Sequence, residues 1–419
     1  MFFLNLGYKW NLTSNFADLA GVVFLPSGNH CERFYRKPLP EMRFRLLDPQ
    51  LYLSSLDPSK CKKVCGRLAS FPWFNVRGAP EFDSNETTLT KWQAELRDHA
   101  NAGNWPDKPA GGDLDAAASS AIQFQINIDC THIITPCPLV TAREDEGATV
   151  AEWLDVSAAA ADGLKVDRPL IASIALSEET INEQVFEDNG FIDTIVDQVT
   201  ARDSFDGVYI VIVQTRNQHP FLTSVNVSRA YFELSRRLRS SGANLVLMNF
   251  CDLVGLISLA YGATGFASGP TQGMRGVSLS QFEDDGGGRA LPWFYSHRTA
   301  MEFLSETDLD EIAGTRHLRR VEDTTEYSES LMSELEDGGS ASSIPGWAES
   351  QNNVAESHKH FVERMIIEAS RFQGMRRQSR LERVTNWLDR AEAFQTSIAA
   401  ALGDERGRRA PVGHWLSWF

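Results

Sequence analysis

The sequence predicts an α/β protein whose larger part is a (β/α)8 barrel of the TIM type, followed by a helical C-terminal appendage. Three observations predict it. Runs such as Val208–Val213 and Asn244–Asn249 are apolar without polar alternation, the mark of strands buried on both faces in a parallel sheet. Helical periodicity fills the gaps between such runs: Asp252–Tyr261 sets Leu253, Leu256, Ile257 and Ala260 on one side of a helix. About eight strands are counted from Gly21 to Gly269, most of them separated by helices as parallel crossovers require. An open doubly wound sheet is the alternative, but no G-x-G-x-x-G or phosphate-loop motif supports it.

In chain order, Gly21–Pro26 reads as the first strand and Arg43–Leu53 as the second, with Asp48 standing where the apolar Leu46-Leu47 gives way to Asp-Pro-Gln. An acid at a strand end of a barrel is a catalytic candidate. The same residue before proline also suits an ordinary turn. Lys60, Lys62, Lys63 and Arg67 precede Trp73 and Phe74, a pattern able to hold phosphates and stack a base, or simply a solvated helix face. Residues 76–115, rich in Gly, Pro, Asp and Asn, read as an insertion or lid carrying one helix at Thr88–Asn101. Helices at Asp115–Ile128, Ala148–Leu164, Glu178–Thr200 and Val225–Ser241 alternate with strands at His132–Pro136, Leu170–Leu176 and Val208–Val213. Gly262 ends the helix after Asp252, and Ala263–Ser268 is the last strand. The barrel is assigned to 1–289. The appendage, 290–419, holds an acidic segment expected to be mobile at about 322–353 and two amphipathic helices, Val354–Met375 and Gln378–Leu402.

A chain of 419 residues, 42% of them hydrophobic, is large enough to bury such a core. No apolar run approaches the roughly 20 residues that span a bilayer, and Met1–Leu6 is too short for a leader's apolar region. Six scattered cysteines, without a repeated C-x-x-C pair, argue against a zinc site and a disulfide framework. The expectation is a cytoplasmic chain with reduced thiols, no cofactor, no metal and no membrane partner. The net charge of −16 is uneven. Residues 1–80 carry 11 Lys and Arg against 5 Asp and Glu, and residues 361–419 carry 10 against 7. Basic ends on an acidic body bind a polyanion if they meet at one mouth, because local charge governs phosphate contacts.

Leu245-Val-Leu-Met248, a following helix, Gly262, Phe266, Pro270-Thr271 and Arg275 resemble the end of the barrel in the tRNA-guanine transglycosylase superfamily. Leu47-Asp48 is similar to that family's early catalytic aspartate. The likeness covers some 250 residues in pattern. Departures accompany it: Ala267 stands where the family has its nucleophilic aspartate after Phe, and Thr135-Pro136-Cys137 stands where it has a substrate-recognition acid. Downstream of Arg275 there is no cysteine to build the family's zinc site, and His317, His358 and His360 do not replace it.

One carboxylate without a protein nucleophile implies hydrolysis rather than base exchange. The pattern is similar to the phage-defence branch of that superfamily, the bacteriophage replication inhibition DNA glycosylases. That resemblance implies removal of a glucosylated hydroxymethylcytosine from phage DNA, leaving abasic sites. DNA is then the expected partner and Asp48 the catalytic acid. Gln50, Tyr52, Thr135, Gln214, Asn249 and Arg275 are candidates to line the pocket of a flipped base, which Trp73 or Phe74 would stack on or replace. Asp252 is expected to cap its helix. Two rivals stay open: exchange of a base for a deazaguanine in DNA or tRNA, and a non-catalytic nucleic-acid-binding barrel.

Overall fold

The computed structural model describes the chain apart from residues 8–9, 29–39, 75, 77–87, 101, 103–104, 106–113, 142–146, 182, 188–189, 216–220, 223, 285–289, 352, 404–405 and 419. Eight parallel strands form one sheet: β1 (Phe2–Leu6), β2 (Gly21–Phe24), β3 (Phe44–Leu47), β4 (Ile133–Ile134), β5 (Leu170–Ser177), β6 (Gly207–Val213), β7 (Leu245–Asn249) and β8 (Gly265–Ser268). Their order is β3-β2-β1-β8-β7-β6-β5-β4. The two end strands meet where Thr131 N donates to Arg45 O at 3.0 Å, nearly closing the barrel. The predicted fold class is therefore the observed one.

The strands run from Phe2, not from Gly21. Phe-Phe-Leu-Asn-Leu is wholly buried, with Leu4 beside Val22 on one side and Ser268 on the other. A segment of five residues is too short to show a period, so only its pairing reveals it as a strand inside the sheet. Conversely, the apolar stretch around Phe71 is not a strand. It is the end of α1 (Lys62–Leu68) followed by a 3-10 turn at Pro72–Phe74. The remaining crossovers use α2 (Leu89–His99), α3 (Leu114–Asn127), α4 (Ala148–Gly163), α5 (Phe191–Thr200), α6 (Val225–Ser240) and α7 (Val254–Tyr261). The expected single helix at Glu178–Thr200 is two 3-10 turns, Glu178–Thr180 and Glu183–Phe186, and then α5. Of the insertion, α2 lies against α1, and most of the rest falls outside the described residues.

The C-terminal part is not purely helical. A hairpin of β9 (Trp293–Ser296) and β10 (Met301–Leu304) is joined by β11 (Arg408–Arg409) in an antiparallel sheet. Short turns α8 (Asp310–Ile312) and α9 (Leu318–Val321) lead to α10 (Glu329–Glu336), then α11 (Ala355–Ser370), α12 (Arg377–Leu402) and α13 (Val412–Leu416). Phe361 and Met365 of α11, Val384 and Leu388 of α12, and Trp415 join the barrel core. The acidic stretch 322–353, expected to be mobile, is built into a second core. Leu331, Met332 and Leu335 of α10 pack there with Trp347, Phe294 and Phe303. Apolar residues spaced four apart bury one side of α10 while its acids face water.

The glycine Gly28 sets the shape of the barrel's upper end. A Cβ built there would lie 1.9 Å from the Gly7 carbonyl oxygen, so the loops after β1 and β2 touch through bare backbone. Gly28→Ala must separate them, and a loss of about 1–3 kcal/mol in urea unfolding is expected, the usual cost of overpacking.

Candidate active site

The upper ends of the strands carry a continuous buried polar network. Asp48 leaves β3 with 1% of its surface exposed. Its Oδ1 accepts from Gln50 N at 2.9 Å, and its Oδ2 accepts from the hydroxyls of Tyr52 at 2.8 Å and Tyr209 at 2.9 Å. Tyr209, inside β6, in turn accepts from Asn249 Nδ2 at the end of β7. Asn249 Oδ1 accepts from Asn5 Nδ2 of β1 at 2.8 Å, and Asn5 Nδ2 also reaches Met274 O at 3.0 Å. Tyr231 of α6 locks the outer side, donating to Asn249 O and accepting from Ile212 N. Four strands thus converge on one carboxylate.

Burial is the main influence on that carboxylate and raises it to about 6; the bonds from Tyr52, Gln50 and Tyr209 pull in the other direction. The Tyr52 and Tyr209 hydroxyls are pushed well above their ordinary value, again first by burial, so they stay protonated and donate. Asp48 is therefore ionised at neutral pH yet close enough to its titration to take a proton.

A cavity of about 350 Å³ opens beside this network, within the range of small-ligand pockets, about 300–1,000 Å³. Its wall includes Gly28 after β2, Gln50 after β3, Phe250 after β7 and Met274 after β8, so it is the mouth at the C-terminal strand ends. Gln50 binds Ser27 N through Oε1 at 2.8 Å, while its Nε2 is buried without a partner among the described residues. A donor left unpaired in a cavity wall is costly unless a ligand accepts from it. Gln50, Phe250 and Asp252 also hold left-handed backbone, with φ of 54°, 54° and 44°. Strain of this kind collects at sites held for a purpose. Larger cavities, of about 740 and 610 Å³, lie along α12, but their walls do not include the network.

The predicted residues separate into two groups. Asp48, Gln50, Tyr52 and Asn249 come together in the buried network, of which Gln50 lines the mouth beside Lys63 and Arg67, Arg67 anchored by Nε to Ser27 O at 2.8 Å. Lys60 and Lys62 are exposed nearby on and before α1. The rim is of mixed charge, since Glu283 and Asp284 also line it. The others are committed to structure. Trp73 and Phe74 are buried rather than open for stacking: the Trp73 indole donates to Pro49 O at 2.8 Å, and Phe74 stacks on Trp105. Thr135 Oγ1 accepts from Ser173 N, tying β4 to β5, and Gln214 bridges to Ser278 away from the cavity wall. Arg275 is enclosed by Glu302 of β10, by Gly269 O and Pro270 O, and by the Phe361 ring 3.5 Å below its guanidinium. Asp252 does not cap α7 through its side chain. Both its oxygens are buried without a hydrogen-bond partner among the described residues.

Asn5 and Tyr209 were not singled out from the sequence. Their only signal is a polar atom inside an otherwise apolar strand, in Phe-Phe-Leu-Asn-Leu and Val-Tyr-Ile-Val-Ile-Val. Among the described residues no three His, Cys, Asp or Glu side chains gather as a metal-holding group, and no helix is long and apolar enough to cross a membrane.

No protein-family model matches this chain, and no curated protein is significantly similar to it in sequence.

Proposed function

We propose that the chain is a DNA glycosylase that hydrolyses the N-glycosidic bond of a modified cytosine, glucosylated hydroxymethylcytosine in phage DNA, and leaves an abasic site. One observation carries the reading: a carboxylate held near 6 by burial, at a strand end beneath a mouth whose wall has an unpaired amide donor. Asp48 suits a general base that takes a proton from water as the water oxygen bonds to the sugar C1′. It also suits the electrostatic partner of the oxocarbenium-like sugar formed as the bond to the base breaks. Gln50 Nε2 suits a donor to the carbonyl of the departing base. The base would be flipped out of the duplex to reach the mouth, and Lys63 and Arg67 at the rim suit its flanking phosphates.

The resemblance to the phage-defence branch of the transglycosylase superfamily supplies the choice of base, and the absence of an acid at Ala267 favours water over a protein nucleophile. Asp252, the other buried acid at these strand ends, has Arg275 and Glu302 as its charged neighbours rather than Asp48, and the acids that do line the mouth, Glu283 and Asp284, belong to its rim.

The test is incubation of the purified protein with matched DNAs carrying plain, hydroxymethylated or glucosylated cytosine, followed by alkali cleavage and mass analysis of the released base. Release from glucosylated DNA alone is expected. Release from none of the three would sink the reading.

A further inference from the structure

We propose that α12 and the barrel elements beside it form a track that grips the phosphodiester backbone of a nucleic-acid duplex, separate from the mouth and independent of the glycosylase reading. Two cavities flank this helix. One, of about 610 Å³, opens at the N-terminal strand ends, where Met1 and Thr264 line it, and it receives Arg236, Arg239, Arg377 and Arg380. The other, of about 740 Å³, receives Arg298, Arg371, Arg383 and Arg390. Phe372 lines both, so the basic walls are contiguous.

Their charge is poorly balanced. Among the described residues no Asp or Glu lines the first cavity. In the second, Glu368 is buried and already shared among His297, Arg364, Arg371 and Arg383, which leaves Glu382 as the other acid in the wall. Arg236 is paired with Glu233 at 2.6 Å. Arg298, Arg377 and Arg390 are exposed and have no carboxylate partner among the described residues. Burial first, and then Arg239, pull the Arg380 guanidinium below its ordinary value, a sign of like charges held together. The first turn of α12 adds its own positive end at the first cavity, since the cap residue Arg376 supplies no side-chain bond.

The spacing fits a duplex. Arg377, Arg380, Arg383 and Arg390 recur at helical steps on α12, so the basic strip winds part of the way round the helix from one cavity to the other. From Arg377 to Arg390 the rise is roughly 20 Å, equal to about six base-pair steps of B-DNA. Guanidinium groups in concave walls suit bidentate phosphate contacts. A lipid surface fits less well, because the one exposed large hydrophobic among the described residues is Val225.

The experiment is fluorescence anisotropy of the full chain with an unmodified 20-base-pair DNA duplex and an RNA duplex of the same sequence, over a salt series. Arg298→Gln/Arg377→Gln/Arg390→Gln is compared with wild type and with Lys60→Gln/Lys62→Gln/Lys63→Gln at the mouth. All six positions are exposed, so both variants should fold, which circular dichroism checks. The arginine variant is expected to bind at least about 10-fold more weakly and to lose about two to three from the slope of log K against log salt. The duplex it loses identifies the natural backbone. An unchanged slope overturns the proposal, whatever the lysine variant does, as does a wild type that binds neither duplex at low salt. Loss of binding to phosphatidylglycerol vesicles with duplex binding intact overturns it in favour of a membrane.

Discussion

Asp48→Asn is expected to abolish base release, by about 10³-fold or more, while giving a protein whose stability falls less steeply with pH between about 4 and 6 than that of wild type. The first effect follows from removing the buried carboxylate behind Gln50 that accepts the proton. The second follows from its burial. In the folded chain Asp48 titrates at about 6, against an ordinary 3.8, so the folded state holds this proton more tightly than the unfolded state does. The stability that protonation contributes is complete below about pH 4 and is lost as pH rises through 6. The shift corresponds to roughly 3 kcal/mol, an upper figure. Asparagine has no such titration. Its amide returns less to the Tyr52 and Tyr209 hydroxyls, at a cost of about 1 kcal/mol each, equal at every pH. The unfolding free energy of the variant minus that of wild type should therefore start negative near pH 4, rise by up to roughly 3 kcal/mol between pH 4 and 6, and then level off. A parallel pair of curves would mean that Asp48 does not titrate there. Wild-type kcat/KM should fall on the acid side near pH 6, where the base becomes protonated, and a flat acid limb would remove Asp48 from that role.

The barrel was legible because its signals are local. Unbroken apolar strands and periodic helices are written within ten or fifteen residues, and Asp48 stood out because Leu-Leu-Asp-Pro breaks a strand abruptly. The network around it was not legible for a matching reason. In strands buried on both faces, apolar residues point inward and outward alike, so no alternation tells whether Tyr209 faces the barrel axis or a helix. Asn5 was hidden further, because its strand is recognised only through partners some 20 and 260 residues away. Trp73 looked like a stacking platform because an aromatic beside lysines has the same sequence whether it is open or covered. Coverage comes from elsewhere, from Phe71, Phe124 and the Pro49 carbonyl.

Arg275 is the sharpest case of this kind, and Arg275→Leu is expected to destabilise the chain by about 3–5 kcal/mol without acting on substrate affinity. Read in the sequence, it was an arginine at a strand end, suited to a ligand. In the fold its partner is Glu302, in the hairpin of the C-terminal part, with both side chains almost wholly buried. Removing one member of a buried pair leaves the other charged and desolvated, which is the reason for the large cost. Among the described residues Glu302 would keep only Arg408 at 3.8 Å as an ion-pair partner. Asp252 amplifies the effect. Burial raises its carboxyl to about 7, Arg275 is the cation that opposes the rise, and Glu302 adds to it. Without the guanidinium, Asp252 should hold its proton to still higher pH, so the loss should be greatest above neutrality, where that carboxyl is forced to ionise. Arg275→Leu/Glu302→Leu should recover most of the stability, since well-packed apolar residues replace such pairs at little cost. Asp252→Asn, by contrast, should stabilise the chain above pH 7, because it removes an unpaired carboxylate rather than a partner. Urea unfolding of the four proteins at pH 5 and pH 8 checks each statement. If Arg275→Leu instead keeps its stability and raises KM for modified DNA, the arginine belongs to the substrate and not to the joint between barrel and appendage.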